Sequence, residues 1–245
     1  VRHYDLTVDS DWLPDLDELG KSDLSRVKIM WVNYPHMPTG APGSASVFQQ
    51  LVDFGKQHNI MIVNDNPYSF ILNEHPRSIL AANGAMETAL ELNSLSKSHN
   101  MAGWRVGMVA GHPDHLKAVL RFKSNMDSGQ FLPVQLAAIQ ALDLPADWYT
   151  GLNATYASRQ KAAFALLEGL DCRFDKAQQG MFVWAAAPAQ YNTAFEMSDA
   201  LLYQKNVFLT PGGIFGSNGE KFIRISLCSP VAVLEEAGRR VISDK

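Results

Sequence analysis

The chain has 245 residues, 47% hydrophobic and 19% charged, which is ordinary globular material with enough length for a sizeable core. A net charge of -4 and a pI near 6.0 argue against a nucleic-acid or anionic-membrane binder, and no apolar run approaches the roughly 20 residues a membrane-spanning helix needs. Cys172 and Cys228 stand far apart with no Cys-x-x-Cys or histidine-rich spacing, so free thiols, buried or half-buried in a reducing compartment, are expected rather than a disulfide framework or a metal site.

Residues 11–24 read as a polar connector leading into a short helix. Residues 27–32 (Val-Lys-Ile-Met-Trp-Val) are a near-continuous apolar run and predict a buried strand, closed by the turn-rich loop 33–40. A helix follows from Ser44 or Ser46 to about His58, because serine caps helix N-termini and Val47, Leu51 and Phe54 fall on one stripe. The next strand is predicted over 60–63, running into Asn64-Asp65-Asn66-Pro67-Tyr68, with further strands near 88–92 and 104–110. Strand, helix, strand at this spacing predicts an α/β fold with a largely parallel sheet, whose ligands bind beyond the carboxyl ends of the strands. Three such ends carry Asn33, Asp65 and Lys97.

From His112 onward helices are predicted over 113–126, 134–142 and 146–170, then a strand over 182–185, a helix over 194–205, a strand over 222–227 and a last helix over 231–242. This half is α+β. The division is expected in or near the helix starting at Val134, giving segments 1–135 and 136–245. No internal repeat, low-complexity segment or long charge run interrupts either.

The most informative stretch is 94–107, Ser-Leu-Ser-Lys-Ser-His-Asn-Met-Ala-Gly-Trp-Arg-Val-Gly. It places Lys97 among hydroxyls, with Arg105 downstream in a glycine-punctuated segment. A lysine becomes a covalent catalyst by condensing with a carbonyl, and hydroxyls with a forked guanidinium are what a phosphate group requires. This stretch resembles the lysine signature of the class I/II aminotransferases, which are fold-type-I pyridoxal-phosphate enzymes. Asn-Met-Ala-Gly-Trp-Arg-Val-Gly and the segment 211–216 (Pro-Gly-Gly-Ile-Phe-Gly) look nearest to the bacterial aspartate and LL-diaminopimelate aminotransferase subgroup.

The resemblance implies that Lys97 forms the Schiff base with pyridoxal 5'-phosphate, and that Ser94 and Arg105 bind its phosphate with Ser96 as helper. Taken alone, Asp65 opens an Asx turn ahead of Pro67; the resemblance makes it the partner of the pyridine nitrogen, with Tyr68 donating to the ring oxygen. Asn33 opens Asn-x-Pro-x-x-Pro-Thr-Gly and matches the family residue that bonds the same ring oxygen, while Met37 stands where the family usually has a second asparagine. Arg224 lies in Phe-Ile-Arg-Ile-Ser-Leu, where alternation puts Arg224 and Ser226 on one strand face and Ile223, Ile225 and Leu227 on the other. By itself it predicts a structural salt bridge; the resemblance makes it the holder of the substrate α-carboxylate. His36, His99 and Trp104 are expected to pack or solvate, and Asn125 to end a helix in preference to reaching a neighbouring subunit's site.

The implied fold is the C-terminal part of a fold-type-I large domain, a mostly parallel sheet with flanking helices, followed by an α+β small domain. The implied activity is amino-group transfer between an amino acid and a 2-oxo acid, in a cytoplasmic homodimer with no nucleic-acid or membrane partner. Carbon–sulfur β-elimination, decarboxylation and a non-catalytic regulatory domain remain open alternatives. The chain begins at Val1 and resembles a family that extends further on the N-terminal side, where it carries a phosphate loop and a ring-stacking aromatic. The 245 residues alone are therefore expected to bind cofactor weakly or not at all and to act poorly.

Overall fold

Residues 1–242 are described by the computed structural model. They fall into two units, one formed by Asp15–Pro35 and Pro42–Thr150, the other by Val1–Pro14, His36–Ala41 and the chain from Gly151 onward. The expected division at 135/136 stands beside this one as a proposal.

The first unit opens with α1 (Leu16–Gly20), whose first turn is closed by the Asp15 carboxylate accepting from the Glu18 N–H. Strand β1 (Ile29–Val32) starts two residues later than expected and is buried on one face only, with Met30 and Val32 inside and Ile29 and Trp31 exposed, so the apolar run is not the fully buried strand expected. Helix α2 (Ala45–His58) starts where Ser44 Oγ accepts from Val47 N at 3.1 Å, and it stops at Asn59 in the left-handed conformation. Its buried stripe includes Phe48, Leu51, Val52 and Phe54, each worth roughly 1.5–3 kcal/mol when fully removed from water. Gly55 faces the chain that follows, since a Cβ there would fall 2.7 Å from the Ile60 carbonyl oxygen and 2.6 Å from Thr88 Cγ2.

Then come β2 (Met61–Asp65), α3 (Ala85–Thr88), β3 (Ala89–Ser94), α4 (Leu95–Ser98), β4 (Gly107–Gly111), α5 (Pro113–Lys123) and α6 (Leu132–Leu142). Among the described residues the strands form one sheet in the order β1-β2-β3-β4. The first two pairings are parallel and the third, β3 with β4, is antiparallel.

Two of the boundaries that differ from expectation bear on the rim of the sheet. Strand β2 runs on through Asn64 and Asp65, because pairing with Glu91 and Leu92 carries the ladder into polar residues. Strand β4 starts at Gly107 rather than near 104. Residues Ala102–Trp104 form a 3-10 turn and Arg105 sits at φ 53°, a left-handed conformation that no strand accommodates.

The second unit takes up α7 (Ala146–Gly169) from Gly151. It continues through β5 (Phe182–Ala186), α8 (Ala194–Lys205), β6 (Thr210–Pro211), β7 (Phe222–Ser226) and α9 (Val231–Ile242). The strands pair antiparallel in the order β5-β7-β6. Leu166, Leu167, Val183, Met197, Ile223 and Leu227 form its core, while Phe222, Arg224 and Ser226 lie half-buried on the opposite face of β7. Both cysteines are free: Cys172 is buried, with its thiol pushed up to about 12 by desolvation, and Cys228 is exposed, outside the expected buried or half-buried range. No helix among the described residues is long and apolar enough to cross a membrane.

Candidate active site

The carboxyl ends of β1, β2 and β3 lie side by side, because these strands are parallel and in register from Val32 with Asn64 to Asp65 with Leu92. Asn33 follows β1, Asp65 ends β2, and Ser94 ends β3 one turn before Lys97. Strand β4 runs the other way, so its start meets the end of β3: Ser94 pairs with Gly107, and Leu95 N donates to Val106 O at 3.3 Å. Arg105 is thereby delivered beside Ser94. The rim thus gathers Asn33, Asp65, Ser94, Ser96, Lys97 and Arg105, drawn from four separate places in the sequence.

Most of these groups are tied to neighbouring main chain. Asn33 Nδ2 donates to the Asp65 carbonyl oxygen at 2.5 Å, tying the β1 exit to the end of β2. Behind it, Asn64 is wholly buried; its Oδ1 accepts from Tyr34 N at 3.1 Å and its Nδ2 donates to the buried Glu91 carboxylate at 3.3 Å. Alternation sends Asn64 and Asp65 to opposite faces. Asp65 therefore presents its carboxyl outward, where partial desolvation raises it above the ordinary carboxylate range. Tyr68 is half-buried on the loop after β2.

Ser94 Oγ accepts from Ser96 N at 3.1 Å as the cap of α4, which leaves the hydroxyl proton to be donated elsewhere. Arg105 spends one of its N–H groups on Ala102 O at 3.0 Å and is exposed. Lys97 is half-buried. Among the described residues neither its amine nor the Asp65 carboxyl has a hydrogen-bond or ion-pair partner. A desolvated carboxyl and a half-buried amine, both unpaired, are groups arranged for something other than each other.

In the second unit, the Arg224 guanidinium lies over the Phe182 ring at 4.3 Å and the Phe215 ring at 4.6 Å, and Nη1 donates to Met37 Sδ at 3.6 Å. Aromatic faces hold a guanidinium without neutralising it. Met37, which the sequence marks only as a departure from the family pattern, is thus part of the arginine's seat. Nearby His36 bonds Thr39 Oγ1 at 2.8 Å, and burial lowers its imidazole to about 4, so it is neutral at pH 7.

The family model for "Aminotransferase class I and II" matches residues 1–241. The chain belongs to the class I and II aminotransferases. Among curated aminotransferases it is 38% identical over 238 residues to the LL-diaminopimelate aminotransferase of Aquifex aeolicus, covering 96% of this chain and 61% of that protein. It is 37% identical over 246 residues to the enzyme of the same name from Nitratidesulfovibrio vulgaris, covering 98% and 63%. Among solved structures it resembles apo-BacF from Bacillus subtilis with a TM-score of 0.92 at 34% identity, over 99% of this chain and 62% of that one. A probable N-succinyldiaminopimelate aminotransferase from Thermus thermophilus gives 0.90 at 30% identity, over 100% and 66%. These neighbours share the α/β architecture, with its mixed sheet and flanking helices. The chain spans about three-fifths of the length of its aminotransferase relatives.

Some contacts around the lysine turn are not visible in the sequence. His99, expected to pack or solvate, packs: it is buried, bonds Ser98 Oγ through Nδ1 at 2.9 Å, and bonds the Tyr149 hydroxyl through Nε2 at 3.2 Å. Desolvation holds its imidazole below the ordinary histidine range. Trp148 Nε1 donates to Ser98 O at 2.8 Å. Only a tertiary contact across 50 positions brings these side chains to the lysine turn. Asn125, as expected, closes a helix end: Nδ2 donates to Arg121 O at 2.7 Å.

Proposed function

We propose that the whole protein is a pyridoxal-phosphate-dependent aminotransferase, and that the rim of the β1–β4 sheet is its cofactor site. The observation that carries this reading is the gathering of an unpaired amine, a desolvated unpaired carboxyl and a hydroxyl–guanidinium pair along one sheet edge. This donor set fits the cofactor group by group. Lys97 suits its carbonyl, Ser94, Ser96 and Arg105 suit its phosphate, and Asp65 suits a protonated ring nitrogen, while the family resemblance assigns Asn33 and Tyr68 to the ring oxygen. Pyridoxal phosphate supplies a carbonyl that takes up an amino group and a ring that delocalises the electron pair left at the substrate α-carbon.

The chain's own groups do the rest. Lys97 Nζ takes the α-proton as general base and returns it as general acid. Asp65 keeps a positive charge opposite its carboxylate, which relieves the desolvation that otherwise raises its pKa. Arg224 binds the substrate carboxylate in a two-point contact, the Phe182 and Phe215 rings fixing the plane of its fork. The substrates are an α-amino acid and a 2-oxo acid. The names of the relatives make LL-diaminopimelate the first donor to assay. As part of this reading we place the protein in the cytoplasm as a homodimer.

The test is spectroscopic. Pyridoxal phosphate added to the full chain should give an absorption band that Lys97→Ala lacks; a band that survives the substitution refutes the reading. Products then separate the chemistries, since transfer yields a 2-oxo acid with aminated cofactor, whereas β-elimination yields pyruvate and ammonia.

A further inference from the structure

We propose that Trp148 and Tyr149 are positioning residues for Lys97, gripping the one-turn helix on which it stands through Ser98 and His99. The inference rests on the reading of Lys97 as the cofactor's covalent anchor.

Helix α4 has four residues, far below the length at which a helix sustains itself, so its shape must be imposed from outside. Its N-terminal side is fixed by the Ser94 cap and by Leu95, which is buried with Met101, Val106 and Ala138. Its C-terminal side ends in carbonyls that a longer helix would have satisfied. One of these, Ser98 O, accepts the Trp148 indole N–H at 2.8 Å. The next residue, His99, is bound on both ring nitrogens, by Ser98 Oγ at 2.9 Å and the Tyr149 hydroxyl at 3.2 Å.

The His99 ring lies nearly parallel to that of Trp148, at 12° and 6.3 Å, and edge-on to that of Tyr149 at 5.6 Å. Tyr149 in turn packs against Phe70 at 5.1 Å, two residues beyond Tyr68. The first turns of α7 therefore hold the lysine turn and touch the tyrosine loop at once. The backbone on either side of Lys97 is pinned while its side chain has no partner among the described residues. A base that must leave one bond and reach for another needs that combination, a fixed origin with a free arm.

The test uses Trp148→Phe, which keeps a ring and removes the N–H, and Tyr149→Phe, which removes only the hydroxyl. In the full chain without cofactor, hydrogen exchange of the amides in 95–101 should quicken about tenfold in each variant, the loss expected for one hydrogen bond. The thermal midpoint should move by only a few degrees. With pyridoxal phosphate present, both variants should keep the Lys97-dependent band, while kcat falls about tenfold and KM changes less than twofold. If Trp148→Phe does not fold, Tyr149→Phe decides alone. Unchanged exchange at 95–101, or a kcat equal to that of the parent, overturns the proposal. Absence of the Lys97-dependent band in the parent chain instead overturns the anchor reading, and the exchange comparison still judges the grip.

Discussion

On the proposed reading, the lysine rim and the arginine strand each hold a charged group for a ligand, and they do so by opposite means. At the rim, Asp65 stands at a strand end and Lys97 on a single turn, and the support reaches these two through the main chain, at the Asp65 carbonyl and at the Ser98 carbonyl beside Lys97. Arg224 instead sits within a regular strand, and the support touches the guanidinium itself, from Phe182, Phe215 and Met37. Where chemistry requires a side chain to change partners, the scaffold grips the main chain. Where it requires one fixed contact, the scaffold grips the head group.

The sharpest way to break this contrast is Lys97→Ala, which should abolish the cofactor band and lower amino transfer by on the order of 10³-fold, within the range for a lost general acid–base. Asp65→Asn should follow at about 10²-fold in kcat, as for removal of one preorganised electrostatic partner, with cofactor still bound. Arg224→Gln should raise KM for the amino acid about tenfold to a hundredfold and leave the cofactor band in place, because the lost interaction is a charge-assisted fork. Phe215→Leu should raise KM only a few-fold, since it removes one face of the guanidinium's seat worth about 1 kcal/mol. A larger effect on the band than on KM in either of the last two would erase the distinction between the regions.

The smallest effect concerns stability. The folded chain holds the Asp65 carboxyl above its unfolded value, so the residue's contribution to folding is most favourable in acid and is lost as pH rises through the raised value. Asp65→Asn should therefore raise the thermal midpoint slightly at pH 7 without cofactor, and not at all below the carboxylate range. Melting curves at the two pH values check the sign. A residue that weakens the empty protein and serves the loaded one is what a binding group looks like.

Much of this was readable from residue patterns. Helix α2 was plain because Ser44 and a regular apolar stripe both point to it, and β7 because Ile223, Ile225 and Leu227 alternate with Arg224. Ser94, Ser96, Lys97 and Arg105 are legible in the 94–107 stretch, and Asn33 and Asp65 in the segments 33–40 and 64–68. What stayed hidden depended on the third dimension. The end of β2 was missed because its last residues are polar and join the ladder only through β3. Strand β6 is two residues long and contains Pro211, too little for any pattern. The start of β4 was missed because a left-handed arginine follows a 3-10 turn, a conformation arginine does not advertise. Met37, Trp148 and Tyr149 carry no local signal at all, since their contacts exist only once distant segments meet.

The reversed direction of β4 has a further consequence. In an all-parallel sheet, the residues just before a strand sit at the far edge from those just after its neighbour, and joining them takes a crossover of a dozen or more residues. Because β4 doubles back, an amine that follows one strand and a guanidinium that precedes the next come to the same place along a short tether. The density of chemical groups between Ser94 and Gly107 is thus an imprint of chain direction. Lengthening that tether should be tolerated far less well than lengthening the long loop between β2 and β3.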